Sequence, residues 1–201
     1  MDFYDFRYVL SFVLIVILPV VTAFWLVIHG GIAYWRHRPP WQAYSVALIA
    51  IVGTLAVTVA YAQQLIGPDL GHNPVLIVFG ALIYLSSWAL SRSIRKYLDF
   101  RTFAGVPEVK NEAGALITDG PFSAVRHPRY FMILIGTLGW AMLANHLGGY
   151  VMAGAFAAIL VVIVQLEERE LITRYGHAYE AYKARVPQLF PAPSRLSQLF
   201  V

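Results

Sequence analysis

Two short polar clusters carry the chemistry legible in this sequence. The first closes the stretch Gly120-Pro-Phe-Ser-Ala-Val-Arg-His-Pro-Arg-Tyr130, and an apolar run begins directly after it at Phe131. Pro128 marks the start of a helix, because the first amides of a helix have no intrahelical partner and the missing proline N–H costs nothing there. The unpartnered N–H groups and the positive end of the helix dipole then face whatever binds in front of Arg126 and His127, which suits an anionic group. The second cluster, Glu167-Glu168-Arg169-Glu170, follows directly on Leu166. A carboxylate at the edge of hydrocarbon is costly unless it is partnered, and acids are not needed to anchor a membrane helix. Taken singly, each of these residues also fits a flanking charge that fixes topology or pairs with a neighbour.

The composition says what must position them. The chain has 201 residues, 59% hydrophobic and only 13% charged, against about 25% charged in a soluble domain. The expected architecture is all-α and integral to a membrane: a single transmembrane domain over 1–201, built as a five-helix bundle. Spans are expected at about 8–28 (with Pro19 kinking it), 43–62, 74–90, 130–143 and 150–166. A span needs about 20 apolar residues to cross a ~30 Å hydrocarbon core. A tight turn at Gly148-Gly149 makes the last two a hairpin, so the two polar clusters become neighbours. Glu167 to Val186 reads as a separate amphipathic C-terminal helix, ended by Pro187, Pro191 and Pro193.

Fourteen of the fifteen Lys and Arg residues, Arg7 being the exception, fall on segments that five spans place on one side. The positive-inside rule makes that side cytoplasmic, with the N-terminus outside and the C-terminus and polar clusters inside. The net charge of +4 is then topological, and no nucleic-acid partner is expected. Absence of cysteine excludes disulfides, thiolate ligands and a cysteine nucleophile. His29, His37, His72 and His146 lie at loop ends without ligand spacing, so no metal site is expected. Trp35 and Trp41 read as interface anchors, and Trp25, Trp88 and Trp140 as facing lipid or packing between helices. The first apolar run reads as a retained helix, and the small size without a targeting signal points to a prokaryotic plasma membrane.

Leu116-Ile117-Thr118-Asp119-Gly120-Pro121-Phe122, Arg126-His127-Pro128 and Tyr130 form one block. Glu167-Glu168, Leu171, Tyr175-Gly176, Tyr179, Tyr182 and Val186-Pro187 form a second. In order and spacing the two resemble the isoprenylcysteine carboxyl methyltransferases and their relatives, the phospholipid N-methyltransferases, over about the C-terminal 90 residues. The resemblance implies a membrane enzyme that moves a methyl group from S-adenosylmethionine to a lipophilic acceptor, with the cofactor held by about residues 110–187. By the same resemblance Leu116, Ile117, Phe122, His127, Pro128, Tyr130 and Glu167 match positions that line the cofactor site, with Lys110, Gly114 and Ala115 near further ones. Four residues before the first glutamate, where the carboxyl methyltransferases carry an arginine linked to substrate, this chain has Ile163. The acceptor, and whether it is methylated on oxygen, nitrogen or sulfur, therefore stays open.

The side chains suit that cofactor. Arg126, His127 and the helix start match its carboxylate. Glu167 or Glu168 matches its ammonium or ribose hydroxyls, and Phe122, Tyr130 and Tyr179 offer faces to adenine or the sulfonium. Methyl transfer is an in-line displacement that needs alignment and exclusion of water. An ammonium acceptor must first lose a proton, which Glu168 would take, so Arg126 and Glu168 are the catalytic candidates. The tail helix would close over the cofactor from the cytosol while the acceptor enters sideways among membrane lipids. Two other readings stand beside this one. A sterol-type membrane reductase would share the hairpin but bind NADPH, whose 2′-phosphate calls for more basic residues than these segments offer. A non-catalytic membrane scaffold would leave both clusters as flanking charges.

Overall fold

A computed structural model describes residues 3–98 and 115–201, and these form helices joined by short connections. The helices are α1 (Phe3–Gly30), α2 (Ile32–Trp35), α3 (Pro40–Ala60), α4 (Ala62–Ile66), α5 (Pro74–Ile94), α6 (Pro121–Ala124), α7 (Pro128–Ala144), α8 (Leu147–Tyr175) and α9 (His177–Arg185), followed by a 3-10 helix (Pro193–Phe200). Four of them, α1, α3, α5 and α8, are long and apolar enough to cross a membrane, and α7 is a shorter apolar helix. The expected all-α membrane bundle is the architecture found.

Apolar side chains sit on both the inside and the outside of this bundle, as hydrocarbon surroundings require. Ile49 and Val52 on α3 and Val78, Phe79, Leu82 and Leu85 on α5 are exposed. The inner faces are built around α1, which packs on α3, α7 and α8 and contributes Leu14, Leu18 and Trp25 to a core shared with Phe156, Leu160 and Ile163. The α5–α7 contact is the most extensive in the bundle. It depends on Gly139, where a Cβ would stand 2.7 Å from the Gly80 carbonyl oxygen. Small residues let membrane helices approach at backbone distance, where dispersion replaces the missing hydrophobic drive.

Three expectations are corrected. Glu167 does not begin a new helix: α8 runs unbroken from Leu147 to Tyr175, and the break comes at Gly176, at φ 53°. Passing from an apolar to a charged sequence changes the surroundings of a helix but not its backbone, since Glu and Arg are good helix formers. The reversal between α7 and α8 lies at Asn145, at φ 49°, and not at the glycine pair. Gly148 and Gly149 sit in the first turn of α8, where a Cβ on Gly148 would fall 1.7 Å from the Leu65 carbonyl oxygen. Trp35 is no interface anchor: it is buried with Ile28 and Ala43, and its indole N–H donates to the Val27 carbonyl at 2.7 Å, whereas Trp41 is exposed.

The α7–α8 turn is tied down by Arg7, the cation left over in the topological count. Its guanidinium is buried, donates to the carbonyls of Ala144 and Asn145 at 3.1 Å each, and pairs with Asp69. Partial burial raises the Asp69 carboxyl, but the Gly71 N–H and Arg7 outweigh it and hold it below its ordinary value. The stability this pair adds is complete above the unfolded carboxylate pKa of about 4 and fades as pH falls through the lower folded value. Asp69→Asn should cost about 2 kcal/mol at neutral pH, less than the usual penalty for orphaning a buried cation because Arg7 keeps two carbonyl acceptors. Thermal melting of both proteins against pH checks this. The gap should close in acid, and a gap independent of pH would mean that the charge is not what matters.

Candidate active site

The segment 120–127 is shaped by its own sequence before it meets the hairpin. Gly120 adopts φ 56° with its α-carbon against the Tyr97 ring, leaving no room for a side chain. Pro121 then opens the single turn of α6, and Val125 is extended. The amides of Arg126 and His127 donate to the carbonyls of Pro187 (2.8 Å) and Gln188 (3.1 Å), stitching the segment to the chain beyond α9. As the sequence predicts, α7 begins at Pro128, with His127 as the capping residue; the His127 carbonyl accepts from the amides of Tyr130 and Phe131.

This start of α7, the charged half of α8 and the inner face of α9 enclose a cavity of about 500 Å³. Leu116, Ile117, Phe122, Arg126, His127, Pro128, Tyr130 and Glu167 all line it, and so does Ala115. Lys110 and Gly114 lie outside the described residues. Glu168, one residue further round α8, is 2% exposed and belongs to the packing behind the wall.

The two carboxylates are thus in different situations. The Glu168 Oε1 accepts from Arg126 Nε at 2.8 Å and lies 2.6 Å from Arg126 Nη2 and 3.2 Å from His127 Nε2. Its Oε2 is 3.2 Å from the Lys183 ammonium. Arg126 is also held from α9, donating through Nη1 to the carbonyls of Val186 (2.5 Å) and Lys183 (3.2 Å). Arg126 and Glu168 therefore form one buried ion pair. Glu167 lies within electrostatic reach of Tyr130, Arg129 and His29. Its Oε2 stands 3.8 Å from His127 Nδ1 and has no hydrogen-bond partner among the described residues. His127 is clasped between both glutamates, which fixes its ring plane against Tyr130, 5.8 Å away centre to centre.

Tyr179 and Tyr182 of α9 are buried and complete the wall. The Tyr182 hydroxyl donates to the Phe122 carbonyl at 2.6 Å. Burial, with the Glu168 carboxylate, pushes the Tyr179 phenol well up, and burial does the same at Tyr182, so both keep their protons throughout the physiological range.

Several charged groups at this site had no local sequence signal. Glu170 is buried with Arg36 (2.5 Å) and Arg174 (3.8 Å), fastening α8 to the connection after α2. His29 is not a loop residue: it lies in the last turn of α1, stacked on Trp25 at 5.0 Å. Trp25 meets Tyr130 edge-on at 6.3 Å. Behind Trp25 lies a second cavity of about 440 Å³, walled by α1 (Leu14, Phe24), α3 (Ile51), α7 (Met132, Ile133) and α8 (Phe156). No group of three or more His, Cys, Asp or Glu able to hold a metal occurs among the described residues. A cavity of a few hundred cubic ångströms, with aromatic faces, one underused buried carboxylate and cations on its rim, fits a small zwitterionic molecule with a flat ring.

Comparison with known proteins points to the same region. The family model for phospholipid methyltransferase matches residues 75–178. The chain is 34% identical over 90 residues to a protein-S-isoprenylcysteine O-methyltransferase of Schizosaccharomyces pombe, covering 43% of this chain and 37% of that protein. It is 39% identical over 70 residues to methanethiol S-methyltransferase 2 of Bradyrhizobium diazoefficiens, covering 35% and 26%. A delta(14)-sterol reductase of Mus musculus is 30% identical over 116 residues, covering 56% and 28%. The chain thus spans between 26% and 37% of the length of these relatives. No solved structure gives a significant match.

Proposed function

The chain belongs to the phospholipid methyltransferase family, and on that premise we propose that it transfers a methyl group from S-adenosylmethionine to a lipophilic acceptor drawn from the bilayer. The observation that carries this reading is the 500 Å³ cavity, where Glu167 offers a buried carboxylate oxygen with no hydrogen-bond partner among the described residues, beside the rings of Phe122, Tyr130 and Tyr179. When bound, S-adenosylmethionine supplies the electrophilic methyl on its sulfonium. Glu167 would hold its ammonium or ribose hydroxyls, Arg174 its carboxylate, and Leu116, Ile117 and the aromatic rings its adenine. Tyr130 and His127 orient Glu167 from either side. The buried Arg126–Glu168 pair holds His127 and docks α9, so these two residues would act by positioning. Displacement at the methyl would then depend on alignment and on exclusion of water from the cavity.

In this reading 1–201 is one transmembrane unit, about 110–187 hold the cofactor, and that end of the bundle faces the cytoplasm of a prokaryotic cell. The apolar cavity behind Trp25 would take the body of the acceptor. The likeness to a sterol reductase favours a second reading, NADPH-dependent reduction of a membrane lipid.

Isothermal titration of the detergent-solubilised protein with S-adenosylhomocysteine and, separately, NADPH decides between them. Saturable binding of the homocysteine compound with a Kd of about 1–100 μM is expected, about 5.5–8 kcal/mol of binding free energy. Binding of NADPH alone would transfer the protein to the reductases, and binding of neither would leave a scaffold.

A further inference from the structure

We propose that the segment after α9, from Phe190 to Phe200, is a strap lying in the membrane interface with Phe190, Leu196 and Phe200 among the lipid chains, and that this seat holds the α6 wall of the polar cavity. The seat is independent of the methyltransferase reading above, and its effect on ligand rests on that reading. The α9 helix is charged and polar, and all the spans precede it. The largest side chains beyond it nevertheless point out of the protein: Phe190 is 68%, Phe200 50% and Leu196 47% exposed.

Their depth follows from α5 and α7. Trp88 and Arg92 are exposed one turn apart near the end of α5, with the guanidinium carbon 3.6 Å from the centre of the Trp88 ring. An aromatic body under a snorkelling cation marks the level at which a span meets the headgroups. Ser93, next to Arg92, donates through its hydroxyl to the Val201 carbonyl at 2.5 Å, and Leu199 is buried with Leu90 and Ile94. Phe200 lies between these two anchored residues and so at the same level. At the other end of the strap, Phe190 meets Phe131 edge-on at 6.2 Å, where the apolar run of α7 begins. Leu196 is one 3-10 turn from Leu199 and shares its face. Apolar side chains at this depth, beside the exposed Arg92 and Arg95 of α5, fit lipid chains below and phosphates above.

Another face of the strap grips the cavity wall. Arg195 and Gln198 are three residues apart, hence eclipsed in a 3-10 helix, and both reach Ser123. Arg195 Nη1 donates to the Ser123 carbonyl at 2.9 Å, and Gln198 Oε1 lies 3.1 Å from the Ser123 hydroxyl. Phe122, one residue back in α6, lines the polar cavity. A strap seated in lipid therefore keeps α6 in place, and a strap lifted into water releases it.

The chain has no cysteine, so single nitroxide labels can be introduced by Phe190→Cys, Leu196→Cys and Phe200→Cys in protein held in lipid nanodiscs. Leu82→Cys on the exposed face of α5 gives the lipid reference and Ala184→Cys on α9 the aqueous one. Electron paramagnetic resonance, with oxygen and a water-soluble nickel complex as collision partners, reads the depth of each label. The three strap labels should meet oxygen in preference to nickel, at about 5–10 Å below the phosphates. Nickel access like that at Ala184→Cys overturns the seat. A label reached by neither partner also overturns it, because protein, whether another segment or a second copy, then covers the strap. The grip on α6 is read by titration with S-adenosylhomocysteine. Leu196→Glu with Phe200→Glu should weaken its binding about fivefold, since the Phe122 turn must then be ordered by the ligand. Arg195→Ala with Gln198→Ala, which frees α6 but leaves the seat, should do the same and carries the test if the first variant fails to fold. Unchanged affinity in a folded variant of either kind overturns the grip. Failure of S-adenosylhomocysteine to bind the native protein sinks the cofactor reading instead, and the labels still decide the seat.

Discussion

Glu167→Ala is expected to weaken S-adenosylhomocysteine binding by about two orders of magnitude while the protein still folds. A hydrogen bond to a charged group contributes about 1.5–3 kcal/mol, or roughly 10- to 100-fold in affinity, and the replacement also removes the only cavity-lining carboxylate among the described residues. The fold should survive because Glu167 borders an open cavity and not a packed core, so truncation enlarges space that already exists. Glu167→Gln keeps a carbonyl oxygen but loses the charge, and its affinity should fall between the two. Titration together with thermal melting reads both effects. Unchanged binding in Glu167→Ala would remove Glu167 from the cofactor site, and with it the main support for the reading.

Its neighbour should behave in the opposite way. Glu168→Ala strips the counter-charge from Arg126, His127 and Lys183 at once, in a place where Arg126 and His127 are buried. Removing one partner of a buried ion pair costs about 3–5 kcal/mol, so a large fall in melting temperature is expected whether or not ligand is present. Replacing both Arg126 and Glu168 by methionine should recover part of that loss, because most of it is the orphaned charge. If Glu168→Ala instead melts normally and loses only turnover, with a changed pH profile, then Glu168 is the proton acceptor that the sequence suggested.

The difference between these adjacent residues shows where sequence reasoning reaches and where it stops. Pro128 announces the start of α7 by a local rule, and a hairpin of two apolar helices brings Arg126-His127 to the glutamate pair without any knowledge of packing. Which glutamate faces the cavity is a matter of about 100° around α8, set by how that helix rotates against α1 and α7. Adjacent residues on a helix carry no pattern that records this. The continuity of α8 through Glu167 was masked by the abrupt change from apolar to charged residues, which resembles a boundary although it only marks a change of surroundings. His29, Trp25, Arg36 and Arg7 reach the rest of the structure from α1 and its neighbours over long separations in sequence; Arg36 and Glu170 are 134 residues apart. No spacing rule links such pairs.

The stitch between the amides of Arg126 and His127 and the carbonyls of Pro187 and Gln188 also sets an order of events during synthesis. Chains emerge from the ribosome at about 5–20 residues per second, so α7 leaves it several seconds before the segment that completes its capping region. Through that interval Arg126 lacks its carbonyl acceptors from Lys183 and Val186 as well as Glu168. The nascent hairpin must keep this end in water until α9 arrives, so a segment translated after the hairpin is the one that seals the cavity.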